Sequence, residues 1–303
     1  GYGSLYSNAT DNNTAYGSLS MVLNTTGIDN VAVGVNALYN NTTGIQNIAI
    51  GNSALQNSTT SQNNIAIGKN AMLTCVGVQS QIAIGYNAMR YANDDSGGII
   101  ANNIAIGNRA LEGSVTPSNN SGQRNTAIGH IVLKANTSGN DNTSIGYQSM
   151  PNSITGSANT SIGNNTLLLN GSGSNNTAVG YGAMFNNSSG TQNTSIGNRA
   201  GENNETGSNN TYLGYNSGGN NNLTNATAIG NGATATLSNS MYYGNGSVTD
   251  HYFRGAINTT APSGNGGGTW KLGTKITAVV TLKTTEYIEI MIDGTVYKLA
   301  LVN

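Results

Sequence analysis

Residues 30–44 read Asn30-Val31-Ala32-Val33-Gly34-Val35-Asn36-Ala37-Leu38-Tyr39-Asn40-Asn41-Thr42-Thr43-Gly44, and Asn47-Ile48-Ala49-Ile50-Gly51 then opens the same pattern again. Aligned on the Gly of Asn-x-Ala/Ser-Ile/Val-Gly, copies fall at Gly17, Gly34, Gly51, Gly68 and Gly85, each 17 residues after the last. Two steps of 22 lead to Gly107 and Gly129. The 17-residue step resumes through Gly146, Gly163, Gly180, Gly197 and Gly214, then shortens to 16 for Gly230 and 14 for Gly244. Fourteen units on one period are the mark of a stacked repeat architecture, and this period governs every other reading.

Each unit is too short and too often punctuated by Asn, Ser, Thr and Gly to hold a regular helix; it reads as two short extended segments separated by turns. Side chains alternate along a strand. The position before the Gly (Val33, Ile50, Ile67, Ile84, Ile106, Ile128, Ile145, Ile162, Val179, Ile196, Leu213, Ile229) is therefore expected to form a continuous buried stripe, with the intervening Ala facing outward. A second apolar column lies four residues past the Gly, at Leu38, Leu55, Met72, Met89, Leu111, Leu133, Met150, Leu167 and Met184. A coil of parallel strands accommodates this: one unit per rung, rungs ~4.8 Å apart, and a rod on the order of 60 Å. Asn at one corner of successive rungs is expected to form amide ladders.

The column two before the inner Ile or Val changes from Val31, Ile48, Ile65, Ile82 and Ile104 to Thr126, Thr143, Thr160, Thr177, Thr194 and Thr211. Both types suit strands, and the change predicts an altered core in the second half. Small residues hold the column between them: Ala32, Ala49, Ala66, Ala83, Ala105, Ala127, Ser144, Ser161, Ala178 and Ser195. They are read as a contact that lets another chain approach closely, the alternative being that they fit a narrow corner. Tyr212 and Tyr242 break this column, which predicts a change of packing near the end.

The 303 residues include 42 Gly and 51 Asn, and only 8% are charged, against an ordinary ~25%. Polar low-complexity chains of this kind often stay disordered; here 36% of residues are hydrophobic and periodic, which argues for a fold. A formal charge of -1 without a basic stripe argues against nucleic acid as a partner. No apolar run long enough to span a bilayer is present. Cys75 is the only cysteine, so no internal disulfide framework is expected. The start at Gly1 without an initiator Met is read as that of a fragment.

Asn64-Ile65-Ala66-Ile67-Gly68 and Asn193-Thr194-Ser195-Ile196-Gly197 resemble the head repeats of YadA-like trimeric adhesins. The fuller unit from Asn30 to Gly44 is similar to repeat regions in bacteriophage tail fibres, including those of phages infecting cyanobacteria. The resemblance covers about residues 11–244. It implies an all-β, left-handed parallel β-roll of about 14 rungs, packed side by side as a homotrimer, with an extracellular or virion-surface role in attachment. Partners implied are a host cell-surface glycan or protein and other tail or baseplate proteins, with no cofactor and no membrane insertion. YadA-like heads carry a shorter repeat followed by a coiled-coil stalk and a membrane anchor. This chain shows neither heptads nor amphipathic membrane strands at its end, which favours the fibre over the cell-anchored adhesin.

Three segments are expected: a repeat shaft at 1–244, a Gly/Asn-rich connection at 245–268, and an antiparallel β tip module at 269–303. Its hairpin is read as Tyr287 to Ile292 and Thr295 to Leu301 around Asp293-Gly294, a favoured two-residue turn, after an earlier strand from Lys275 to Lys283. Recognition is sought where regularity fails. The two long steps carry Arg90, Tyr91, Asp94, Asp95 and Arg124, a candidate ligand-contacting loop pair or simply decorated turns. Asp94-Asp95 offers oxygen ligands for calcium, but no spaced set of further acids accompanies it. Tyr252, Phe253, Trp270 and Tyr287 are candidate sugar-stacking residues at the tip, or packing within its core. His130 and His251 have no partner at metal-like or base-like spacing. A polysaccharide-cleaving tailspike would need paired carboxylates, and no acid recurs in register, so a non-enzymatic attachment protein is the expectation.

Overall fold

In the computed structural model each copy of the motif forms a short strand, ended by a Gly that only Gly can supply. The structure describes residues 1–7, 12–91, 100–116, 119–248, 287–292 and 295–300. The strands are β1 (Thr14–Tyr16), β2 (Val31–Val33), β3 (Ile48–Ile50), β4 (Ile65–Ile67), β5 (Ile82–Ile84), β6 (Ile104–Ile106), β7 (Thr126–Ile128) and β8 (Thr143–Ile145). They continue as β9 (Thr160–Ile162), β10 (Thr177–Val179), β11 (Thr194–Ile196), β12 (Thr211–Leu213), β13 (Gly218–Gly219), β14 (Ala226–Ile229), β15 (Thr234–Ala235) and β16 (Ser240–Tyr243). Fourteen of them, β1 to β12 with β14 and β16, make one parallel sheet in sequence order. Equivalent residues pair across rungs, as in Ile48↔Ile65, Ala49↔Ala66 and Ile50↔Ile67. The chain is thus a parallel β-solenoid, as the period predicts. The 22-residue steps keep the register (Ile82↔Ile104, Ile104↔Thr126), so their extra residues leave the strands unshifted.

The Gly closing each strand has φ between 123 and 140 from Gly17 to Gly230. A Cβ on Gly34 would sit 2.5 Å from the carbonyl oxygen of Gly51. Both the left-handed backbone and the rung-to-rung approach exclude a side chain there.

The strand faces are the reverse of the sequence expectation. Ala32, Ala49, Ala66, Ala83, Ala105, Ala127, Ser144, Ser161, Ala178 and Ser195 are wholly buried. The Ile and Val on either side point outward and are half-buried, with Ile50 at 38% exposure and Leu213 at 43%. The small column is therefore not a contact for another chain. Alternation permits one inward residue flanked by two outward ones, and the inner one must share a narrow coil with a Leu or Met. Leu38, Leu55, Met72, Met89, Leu133, Met150, Leu167 and Met184 fill that interior as expected. The change from Ile to Thr at the first strand position accordingly leaves the core untouched, because Thr143 and its equivalents face outward. The interior changes elsewhere. Ser149 and Thr166 replace the inward Ala of earlier rungs, and Ser149 shares hydroxyl hydrogen bonds of 2.7 Å with Ser144 and Ser161.

The second apolar column is not a strand. Leu38 has φ 49 and Met72 has φ 52, so these side chains reach the core from a left-handed turn. That conformation costs about 1–2 kcal/mol per residue, and burying a Leu or Met recovers about 1.5–3 kcal/mol. Packing therefore decides the local backbone.

Asn ladders satisfy the corners, as expected. Asn142 donates its backbone N–H and its side-chain amide to Asn125 Oδ1, both at 3.0 Å, and its amide to the Gly156 carbonyl at 2.8 Å. Its own Oδ1 accepts the backbone N–H and amide of Asn159 at 3.0 and 3.1 Å. A second ladder joins Asn41 to Asn24 at 2.7 Å and stops where Ser58 and Cys75 take the Asn position. Asn41 Oδ1 is buried without a partner at that break, and Asn136 Oδ1 likewise where Ser153 follows it. Buried Cys75 lies 3.6 Å from the Oγ of Ser61, which takes the usual Gly position in the preceding rung.

Tyr212 does mark a change of packing. It enters the small inward column fully buried, and glycines take the Leu/Met positions beside it. A Cβ on Gly201 would stand 2.7 Å from Tyr212 Cδ2, so ring and Gly exchange volume between columns. The Tyr212 hydroxyl has no hydrogen-bond partner, and burial pushes its phenol up to about 12 from an ordinary 10.0.

The contact pattern divides the chain into Gly1–Thr249 and Asp250–Asn303. In the second unit β17 (Tyr287–Ile292) and β18 (Thr295–Ala300) pair antiparallel with Ile292 opposite Thr295, the register of a two-residue hairpin. The expected strand at 275–283 and the Gly-rich segment at 263–268 lie outside the described residues.

Asn142→Ala strips two buried donors on Asn159 and the Gly156 carbonyl of their partner, and is expected to cost about 2–4 kcal/mol. Exposed Asn198→Ala is expected to stay within about 0.5 kcal/mol of the parent; urea unfolding midpoints of the two variants check the contrast. Tyr212→Phe removes an unpartnered buried hydroxyl and is expected to be neutral or stabilising by up to ~2 kcal/mol. Because folded Tyr212 keeps its proton to about 12, its contribution is intact below the ordinary value of 10.0 and is lost between the two. Unfolding of the parent and of Tyr212→Phe across that alkaline range should show the loss in the parent only.

Candidate functional site

The first long step leaves its rung at Arg90 and Tyr91. The Arg90 guanidinium lies 4.9 Å from the centre of the Tyr91 ring, close enough for a cation–π contact. Among the described residues its buried Nε has no hydrogen-bond partner. Tyr91 is anchored through its backbone: its N–H donates to the Glu112 carbonyl at 3.0 Å, and its carbonyl accepts from Asn120 Nδ2. Asn120 belongs to the second insertion and also holds Ser114, donating to its carbonyl at 2.9 Å and accepting its N–H at 2.8 Å. One buried amide therefore ties the two inserted segments together. The cavity between them, bordered by Gln81, Tyr91, Asn103, Leu111 and Asn136, has a volume of about 20 Å³. That is room for a single water and not for a sugar.

Arg124 is placed apart from this corner and is already occupied. It makes a two-point ion pair with Asp141 one rung on, at 2.6 and 2.9 Å. Each group's hydrogen bond to the other raises the guanidinium and lowers the carboxylate from their ordinary values. Both side chains are about half exposed, so the pair contributes little to stability, but it removes Arg124 as a free cation for an acidic ligand. Arg109–Glu112 and Arg199–Glu202 are paired through one contact each, at 2.7 and 3.4 Å. Asp94, Asp95, Tyr252, Phe253 and Trp270 lie outside the described residues, and Tyr287 sits at the start of β17 with its side chain outside them. Among the described residues no group of three His, Cys, Asp or Glu is arranged to hold a metal ion. No helix among them is long and apolar enough to cross a membrane.

Two surfaces were missed in the sequence. One is the outward Ile/Val stripe on the sheet. The other is the position immediately after the motif Gly, where Tyr86, His130, Tyr147, Tyr181 and Tyr215 all stand exposed. His130 lies flat on Tyr147, ring centres 5.3 Å apart and planes within 8°, so this histidine has an aromatic partner and, among the described residues, no salt bridge. The signal was the 17-residue register itself, which predicts one such residue per rung; reading that column downward would have found it.

The repeats form a parallel β-solenoid, a fold consistent with a structural or adhesive role. No protein-family profile matches the chain, and no curated protein matches it. Asp141→Ala is expected to leave the unfolding midpoint unchanged at physiological salt, as for exposed pairs generally; a clear fall in the midpoint would give this pair a structural role.

Proposed function

We propose that this chain is a non-enzymatic attachment protein, the shaft and C-terminal module of a viral tail fibre that binds a host cell-surface glycan or protein. Three copies pack side by side. The observation that carries the reading is the outward apolar stripe: Ile, Val or Leu before the Gly in twelve successive rungs, in register, with Ile196 at 41% exposure. At ~4.8 Å per rung the stripe runs about 55 Å, and exposed apolar patches of that extent mark interaction sites. A straight stripe matches an identical stripe on a parallel copy. The count of three and the left-handed coil come from the resemblance of the motif to YadA-like heads. The non-enzymatic reading is supported by the acids: no two share a column in adjacent rungs of the repeats, and among the described residues Glu112, Glu202 and Asp141 are each held by an arginine. Placement at the virion surface, with tail or baseplate proteins as neighbours, follows the fuller repeat's similarity to phage fibres.

Sedimentation of the parent is expected to give an elongated trimer. Ile162→Asp with Ile196→Asp, two outward positions, should release monomers that keep the parent's circular dichroism. A compact monomeric parent at micromolar concentration would end the reading. Labelled protein should decorate host cells, and antibody to the chain should mark the fibres of particles under the electron microscope.

A further inference from the structure

The ridge after the motif Gly has a composition of its own. From the seventh strand onward it reads His130, Tyr147, Asn164, Tyr181, Asn198, Tyr215 and Asn231, one residue per rung. Every one is exposed, and Tyr147, Tyr181 and Tyr215 are 48%, 52% and 58% exposed. The backbone holds the spacing: the N–H of Gly182 bonds the Asn164 carbonyl at 2.9 Å, that of Arg199 the Tyr181 carbonyl at 2.8 Å, and that of Asn216 the Asn198 carbonyl at 2.8 Å. Phenol rings therefore recur every second rung, ~9.6 Å apart, with an amide between each pair. Among the described residues none of the three phenol hydroxyls makes a hydrogen bond. From His130 to Asn231 the ridge contains no Lys, Arg, Asp or Glu, and Arg199, which follows Asn198, is paired with Glu202 at 3.4 Å.

We infer that this ridge binds an extended, uncharged, β-linked polysaccharide running along the rod. The rings of Tyr181 and Tyr215, and the face of Tyr147 that His130 does not cover, take the C–H face of a pyranose, and their hydroxyl edges stay wet. An amide supplies both a donor and an acceptor to neighbouring sugar hydroxyls. An equatorially linked 1,4-β chain is straight and repeats after two sugars, a length comparable to two rungs, so alternate sugars meet alternate tyrosines. A coiled α-linked chain leaves the ridge after one contact. The lack of charge matches a neutral polymer, since an acidic one would meet no cation here. Multiple weak contacts on one rigid track add as linked binding events do. The inference rests on the receptor reading and deepens it, adding a sugar-binding track on the shaft to the contacts expected at the inserted loops and the C-terminal aromatics.

Calorimetric titration of the full chain with cellohexaose, cellobiose and maltohexaose tests it. Cellohexaose is expected to bind at least tenfold more tightly than cellobiose, and maltohexaose not measurably. Tyr147→Ala with Tyr181→Ala and Tyr215→Ala should weaken cellohexaose at least tenfold while the circular dichroism and the sedimentation of the parent persist. Equal binding by this variant, or preference for maltohexaose, would overturn the inference. So would loss of self-association with no glucan bound by the parent, which would assign the ridge to a second copy of the chain. Because sedimentation is read separately, failure here leaves the trimer and host attachment standing.

Discussion

A coil that closes in seventeen residues leaves an interior about as wide as one Ala facing one Leu or Met, and the rest of the molecule follows from that width. The strand can send only its middle residue inward, so the Ile and Val on either side are forced out although they are the more hydrophobic. The Leu or Met must reach in from a corner, and it does so from a left-handed backbone that packing makes worthwhile. Where the inward residue grows to Tyr212, the opposite column shrinks to Gly201 and Gly218, and the width is conserved. Interiors packed at crystal-like density impose such exchanges.

Narrow coils also turn sharply, and each turn buries backbone groups away from strand partners. The Asn ladders answer this by making one side chain serve two rungs: Asn125, Asn142 and Asn159 each accept from the next rung and donate to their own. A ladder is only as complete as its neighbours, and the orphaned Oδ1 atoms of Asn41 and Asn136 sit where a Ser follows. Cys75 and Ser61 replace an Asn and a Gly together, again as a coupled pair. The composition that first looks like that of a disordered chain is thus the hydrogen-bonding material of the corners.

Repetition turns single side chains into surfaces. A lone outward Ile carries no information, but twelve outward Ile, Val or Leu in register make a stripe tens of ångströms long. Exposed Tyr residues set two rungs apart become a ruler along the rod. Among the described residues of the inserted segments, by contrast, polar groups are paired internally: Asn120 stitches Tyr91 to Ser114, and Arg124 is held by Asp141.

The repeat length, the parallel coil, the buried Leu/Met column, the Asn ladders and the Tyr212 break were legible in the residues, because each is a property of one column read down a fixed period. The direction of the strand's faces was not. Alternation says that Ala49 opposes Ile48 and Ile50, but either choice satisfies it, and hydrophobicity alone favours the wrong one. Nor could spacing reveal that Arg124 meets Asp141 or that Asn120 reaches Tyr91, since these partners are set by how inserted segments fold back on the stack. Sequence by itself determined what recurs in this protein. Only the tertiary structure decided which side is inside, because that depends on the volume enclosed when the coil closes, a quantity no single rung contains.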